Sequence, residues 1–297
     1  MQSATGRKIA LGDIEDKMRH NSTLLKTQIA NHPHYNWRLF YLLWGLASFG
    51  LLAGLPYVLA LQKDNLQAIH LPLPLPALIS VQVVIQFAIL GLLTGIGLWL
   101  AEKIGLGSPI LSDWLAGNPV KQVYRYTWLP VVLIGLAVSA IVVFLDTLVF
   151  SPIIQHQLQL NGLNLPSTIN PPIWEGLLAS FYGGFTEEIL IRLFLMSLLA
   201  WLGNRLLRNR SHQPSNGIMW SANILAALAF GLGHLPTAIA IGIPLNAMGI
   251  TRILLLNGLP GIVFGWLYWK RGLESSMIAH FSGDILIHVI TPWLLLS

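Results

Sequence analysis

The chain reads as an all-α protein, a polytopic transmembrane helical bundle of seven or eight membrane segments, and three observations predict it. Of its 297 residues 54% are apolar and 10% charged, with a mean hydropathy of +0.65, whereas a soluble domain carries about 25% charged residues. Seventeen basic and twelve acidic side chains cannot coat a core holding this much apolar surface, so lipid is the solvent for much of it. The apolar residues also fall into charge-free runs of about 20, the length that crosses a bilayer as a helix. Finally, Lys and Arg alternate from connector to connector, as the positive-inside rule requires of a multi-pass chain.

In chain order, residues 1–38 form a polar N-terminal tail carrying Arg7, Lys8, Lys17, Arg19, Lys26 and Arg38. Its length and late first apolar run are unlike a cleaved signal peptide. Ile9, Leu11, Ile14 and Met18 mark a weak stripe for a surface helix. Spans are expected at Leu39 to Leu61, Leu78 to Ala101, Trp128 to Phe150, Ile173 to Leu202, Gly217 to His234, Ile253 to Trp269 and Ser276 to Leu296. Between them 236–250, interrupted by Pro244 and Asn246, is short for a span. No repeat and no soluble boundary appears, so 39–297 is expected to be one membrane domain. Glycines at four-residue spacing (Gly50 and Gly54, Gly91 and Gly95, Gly261 and Gly265) suit close helix packing.

Lys and Arg number six in the tail, one (Lys63) after the first span, three (Lys103, Lys121, Arg125) after the second, none in 151–172, and three (Arg205, Arg208, Arg210) after the fourth. This alternation predicts a multi-pass integral protein of the cell (inner) membrane with a cytoplasmic N-terminus. The net charge of +5 lies in the tail and connectors; with no basic stripe interleaved with aromatics, no nucleic-acid partner is expected. The lack of cysteine excludes disulfides, thiolate zinc sites, iron-sulfur clusters and a cysteine nucleophile.

Ionisable groups within spans cost about 2.5 to 3.5 kcal/mol each on insertion scales, so each needs a partner or a task. In the fourth span Glu188 and Arg192 are four residues apart on one face, whereas Glu187 points about 100° away. Arg192 thus neutralises one carboxylate and leaves Glu187 with free lone pairs, which suits a general base; the bland reading is a salt-bridge network without chemistry. In the fifth span Phe230 and His234, at i and i+4, let the ring wall the face from which the imidazole projects. The last span sets His280, Asp284 and His288 on one face, where Asp284 can accept from one nitrogen of His280 and leave the other for a substrate or metal. His288, a turn further on, is either a polar neighbour only or a partner for Asp146, for which Arg192 is the other candidate.

The three motifs in this order, Glu-Glu-x-x-x-Arg, Phe-x-x-x-His and His-x-x-x-Asp, each on its own apolar helix, resemble those of the CAAX-processing and bacteriocin-immunity family of intramembrane proteases. That family includes the Ras-converting prenyl-protein endopeptidases. The resemblance covers roughly 173–297 and implies an α-helical glutamic endopeptidase that needs no metal or other cofactor. It implies catalytic roles for Glu187 and His234, which would activate water, and for His280 with Asp284 at the oxyanion. Glu188, Arg192 and Phe230 fall at supporting positions. The family commonly has Asn where this chain has Asp284; an ionised Asp cannot donate to an oxyanion, so Asp284 is either protonated or orients His280. The partners implied are a membrane-associated protein or peptide substrate and the lipid bilayer.

Two other classes compete. Glu187, His234 and His280 have the composition of a catalytic zinc site with an open position, although no His-Glu-x-x-His motif is present. A non-catalytic immunity, scaffold or transport protein could use the same residues as a buried network. Depth favours eight segments: if 236–250 stays outside, His234 ends its helix at the outer face while His280 begins its own near the inner one.

Overall fold

The computed structural model describes residues 36–63, 66, 73–160, 171–207 and 213–296; the tail to residue 35, with its weak stripe, lies outside these. Helix α1 (Trp37–Leu61) starts where Asn36 Oδ1 accepts the Leu39 N–H at 3.1 Å. Next are α2 (Leu75–Lys103) and a short α3 (Pro109–Leu115), both opened by proline, which has no N–H to leave unpaired there. The long α4 (Lys121–Leu145) continues through a π-helical turn, Asp146–Phe150, into Ser151–Leu160. Helix α5 (Ile173–Leu206) is loosened twice by π-helical turns, Tyr182–Glu187 and Ile189–Met196. After it come α6 (Asn216–Gly233), the six-residue α7 (Leu235–Ala240) and α8 (Ala247–Arg271). Finally α9 (Leu273–Ile285) runs through the π-helical turn Leu286–Ile290 to Thr291–Leu296.

Seven helices among the described residues are long and apolar enough to cross a membrane: α1, α2, α4, α5, α6 with α7, α8 and α9. The segment 236–250, preferred as an eighth crossing, holds only α7, which rises about 9 Å, a turn at Gly242 with φ 78°, and the first residues of α8. A six-residue helix cannot cross about 30 Å of hydrocarbon. The chain therefore reverses here, and Asn246 restarts it by accepting the Gly249 N–H at 2.9 Å.

With seven antiparallel spans, Lys103, Arg205, Lys270 and Arg271 all fall at one end of the bundle. An eighth crossing would have moved Lys270 and Arg271 to the other. Each of these three helix ends sets a cation over a tryptophan: Lys103 on Trp99, Arg205 on Trp201 and Lys270 on Trp269. Trp99 meets Trp201 and Trp220 meets Trp269 across helices at 5.9 and 5.8 Å. Such an amphipathic girdle is what a water–lipid boundary favours. We call this the basic end.

The core is uneven along the bundle. Toward the basic end Leu43, Leu90, Leu193, Met196, Met219, Tyr268 and Met277 join six helices in one sealed cluster. Toward the other end the buried cluster is smaller, built on Val142, Phe150 and Leu256. Small residues let backbones touch, as their spacing predicts for Gly261 and Gly265. A methyl on Gly261 would lie 3.0 Å from Ala227 Cβ, and one on Gly265 would collide with the Asn223 side chain. At Gly272, φ 94° reverses the chain between α8 and α9 in one residue, a conformation costly for any side chain.

Candidate active site

Four helices bring Glu187, Glu188 and Arg192 (α5), Phe230 and His234 (α6), and His280 and Asp284 (α9) together against Phe264 of α8. Helix α5 carries the centre and is held in register from outside it: Thr186, next to Glu187, donates to the Ala47 carbonyl of α1 at 2.7 Å. The π-helical turns on either side of Glu188 change the rotation per residue, so the facing of Glu187 is not that of a regular helix.

Glu188 and Arg192 form the expected pair, Oε1 to Nη1 at 3.2 Å, with both side chains sealed from solvent. Arg192 Nη2 also donates to the Gly261 carbonyl at 3.2 Å, and its guanidinium packs 5.0 Å from the Phe230 ring and 5.8 Å from that of Phe264. One arginine therefore joins α5, α6 and α8. The same Glu188 Oε1 accepts from His280 Nδ1 at 2.7 Å. This corrects the expected orienting role of Asp284: its Oδ1 is 3.6 Å from His280 Nε2, beyond a good hydrogen bond. An i+4 neighbour on the same helix reaches the outer ring edge, whereas Glu188 approaches Nδ1 from across the helix interface. Phe264 stacks on the His280 ring at 4.8 Å and fixes its plane.

His234 is anchored on its own helix. Its Nδ1 lies 2.8 Å from the Phe230 carbonyl, which can only accept, so Nδ1 carries the proton and Nε2 presents a lone pair. Phe230 walls this face as its spacing predicts, its ring edge-on to His234 at 4.7 Å. Both histidines have one nitrogen committed, and both free Nε2 atoms turn to Glu187, at 3.9 Å for His234 and 3.6 Å for His280.

The depth objection is thereby removed without an eighth crossing. His280 stands two turns inside α9, level with Phe264, and the His234 side chain leans back along α6 toward Phe230, as helical side chains lean toward the N-terminus. Glu187 closes the remaining gap.

Other expectations are redirected. Asp146 pairs with neither His288 nor Arg192; it receives a two-pronged contact from Arg252 of α8, Nε and Nη2 at 2.6 and 2.7 Å. His288 lies a turn beyond Asp284 and pairs with Tyr57 of α1, 3.1 Å from the hydroxyl to Nδ1. Sequence reasoning missed Arg252, Tyr57, Phe264 and Gly183. Of these, only Gly183 left a local trace, in the Gly183-Gly184 pair four residues before Glu187; a methyl there would collide with the Asp284 carboxylate and approach His280 Nε2 to 3.1 Å. Among the described residues no three His, Asp or Glu side chains are arranged to hold a metal ion.

No curated protein and no solved structure matches the chain. The segment that carries Glu187, Glu188, Arg192, Phe230, His234, Phe264, His280 and Asp284 is similar to a family: residues 169–286 match the model described as type II CAAX prenyl endopeptidase Rce1-like.

Proposed function

We propose that the protein is an intramembrane endopeptidase of glutamic type, cutting a membrane-associated protein or peptide by attack of an activated water. At the level of family, the Rce1-like match supports a CAAX-type protease of the membrane; the mechanism is our reading of the geometry. The observation that carries it is the convergence of His234 Nε2 and His280 Nε2 on the Glu187 carboxylate.

The 3.9 Å between Glu187 and His234 is too long for a direct bond and fits a bridging water. That water gives one hydrogen to Glu187 and the other to the His234 lone pair, which aims its oxygen at the scissile carbonyl. As the carbon–oxygen bond forms, Glu187 takes the proton. The carbonyl oxygen becomes an oxyanion and accepts from His280 Nε2–H. With Nδ1–H already on Glu188, the ring acts here as an imidazolium, and the carboxylates of Glu188, Glu187 and Asp284 supply its counter-charge. Collapse breaks the carbon–nitrogen bond, and Glu187 returns its proton to the leaving amine. Asp284 acts by balancing and confining His280, which needs no hydrogen to donate.

By the charge rule the basic end faces the cytoplasm, with the N-terminus. Comparing the protein fragments in membranes carrying wild type or Glu187→Ala tests the function: a new terminus present only with the wild type is the expected result. Identical fragment sets, with equal amounts of both proteins, would leave the residues as a buried network of a non-catalytic protein.

A further inference from the structure

Within the endopeptidase reading, we propose that the centre opens toward the end of the bundle opposite the basic end, so that water and the scissile peptide arrive along the outer half of α9. With the basic end in the cytoplasm, the substrate is then a peptide segment at the non-cytoplasmic face of the membrane.

Helix α9 carries the argument in one rod. Its first turns, residues 272–277, are buried throughout. The short α3 closes them off: Glu274 Oε1 accepts from Ser108 Oγ at 2.6 Å and from the Leu111 N–H at 2.7 Å, tying the connector over the helix start. Beneath the catalytic centre on this side lie Met196, Tyr268 and Met277, each nearly inaccessible, with Tyr268 bonded to Ser197 at 2.8 Å. Beyond Gly283 the character changes, and residues 284–292 are all partly exposed. The centre follows the same gradient, with side-chain exposure of 0% at Glu188, 1% at Arg192 and 7% at His280, then 13% at Asp284, 17% at Glu187 and 31% at His234.

Exposure alone could mean lipid, but these groups exclude that. Asp284 and His288 face this side, Tyr57 meets His288, and the Arg252–Asp146 pair, 20% and 27% exposed, stands on α8 and α4 in the same half. Ionisable side chains in spans line a water-filled cavity or the bundle interior and avoid lipid tails. Gly176, beside Glu175 in the first turns of α5, packs on the His288 carbonyl, so that end of α5 forms the wall opposite α9. Peptide hydrolysis consumes one water per bond cut, and this is the half of the molecule that can admit it.

The chain has no cysteine, so single cysteines can report access in the full-length protein. His288→Cys and Glu175→Cys probe the proposed route, Arg205→Cys the basic end, and Ser276→Cys the sealed side. A sulfonated maleimide, which does not cross membranes, is applied to right-side-out and then to inverted vesicles, with labelling after denaturation as the total. The expected result is complete labelling of His288→Cys and Glu175→Cys in right-side-out vesicles, of Arg205→Cys in inverted vesicles only, and of Ser276→Cys in neither. Labelling of both route positions from the same side as Arg205→Cys overturns the proposal, as does protection of both equal to that of Ser276→Cys. Two route positions keep the test intact if one variant fails to fold. Labelling requires no turnover, so an inactive protein with outward-facing His288 counts against the endopeptidase reading alone, and an active one with inward-facing His288 against the access route alone.

Discussion

Glu187 and Glu188 are consecutive residues on one helix, yet they occupy opposite kinds of surroundings. Glu188 is wholly buried, with Arg192 at 3.2 Å and His280 at 2.7 Å on a single oxygen. Glu187 is partly exposed, and among the described residues it has no ionic partner closer than 3.6 Å. The side toward Glu188 is a packed knot whose charges are cancelled before any substrate arrives; the side toward Glu187 leaves a carboxylate and two imidazole nitrogens uncommitted. A buried knot of charges makes a rigid frame, and chemistry needs groups that the frame orients without satisfying.

The comparison is broken most sharply by Glu187→Gln, which keeps the shape and cannot take a proton. In a purified, membrane-reconstituted reaction it should lower turnover by about 10² to 10⁴-fold, the usual contribution of a positioned base, with wild-type abundance and melting. Full turnover by this variant would falsify the glutamic mechanism. On the frame side, Arg192→Ala should cost about 3 to 5 kcal/mol, because Glu188 is left charged and buried. Lower abundance and a lower melting temperature should accompany its loss of activity, and a normally melting variant would refute the frame role.

Gly183→Ala sharpens the boundary between the two sides. The added methyl presses on Asp284 and His280 without touching the Glu188–Arg192 pair, at an overpacking cost of about 1 to 3 kcal/mol. It should slow turnover more than it weakens substrate binding; an unchanged turnover number would mean that the His280 position is not critical. The smallest effect is expected from a strong chelator. Because the proposed mechanism generates the nucleophile with Glu187 and His234, activity should survive prolonged chelation, and the pure protein should contain far less than one zinc per chain. Stoichiometric zinc whose removal stops turnover and whose return restores it would recast Glu187, His234 and His280 as ligands.

The elements that sequence disclosed are those governed by spacing along one helix. The Glu188–Arg192 pair is an i,i+4 contact, and Phe230 walls His234 for the same reason, so both were legible before any fold was known. The preference for an eighth segment shows the limit. It rested on the depth of helix ends, whereas the meeting of His234 with His280 depends on how far side chains reach and lean between tilted helices.

Hydropathy and charge alternation determined a helical membrane bundle, because a bilayer demands internally bonded, apolar spans of one length whatever their neighbours. The order of three motifs on three helices determined the family likeness of the second half. Tertiary structure alone decided which groups pair across helices: Glu188 on His280, Arg252 on Asp146, Tyr57 on His288. A charged side chain in an apolar span must find a partner, and its sequence states the need; the partner's identity depends on the rotation, tilt and depth of another helix. Those are set by close contacts such as Thr186 on Ala47 and Gly265 on Asn223, which no periodicity along a single chain segment records.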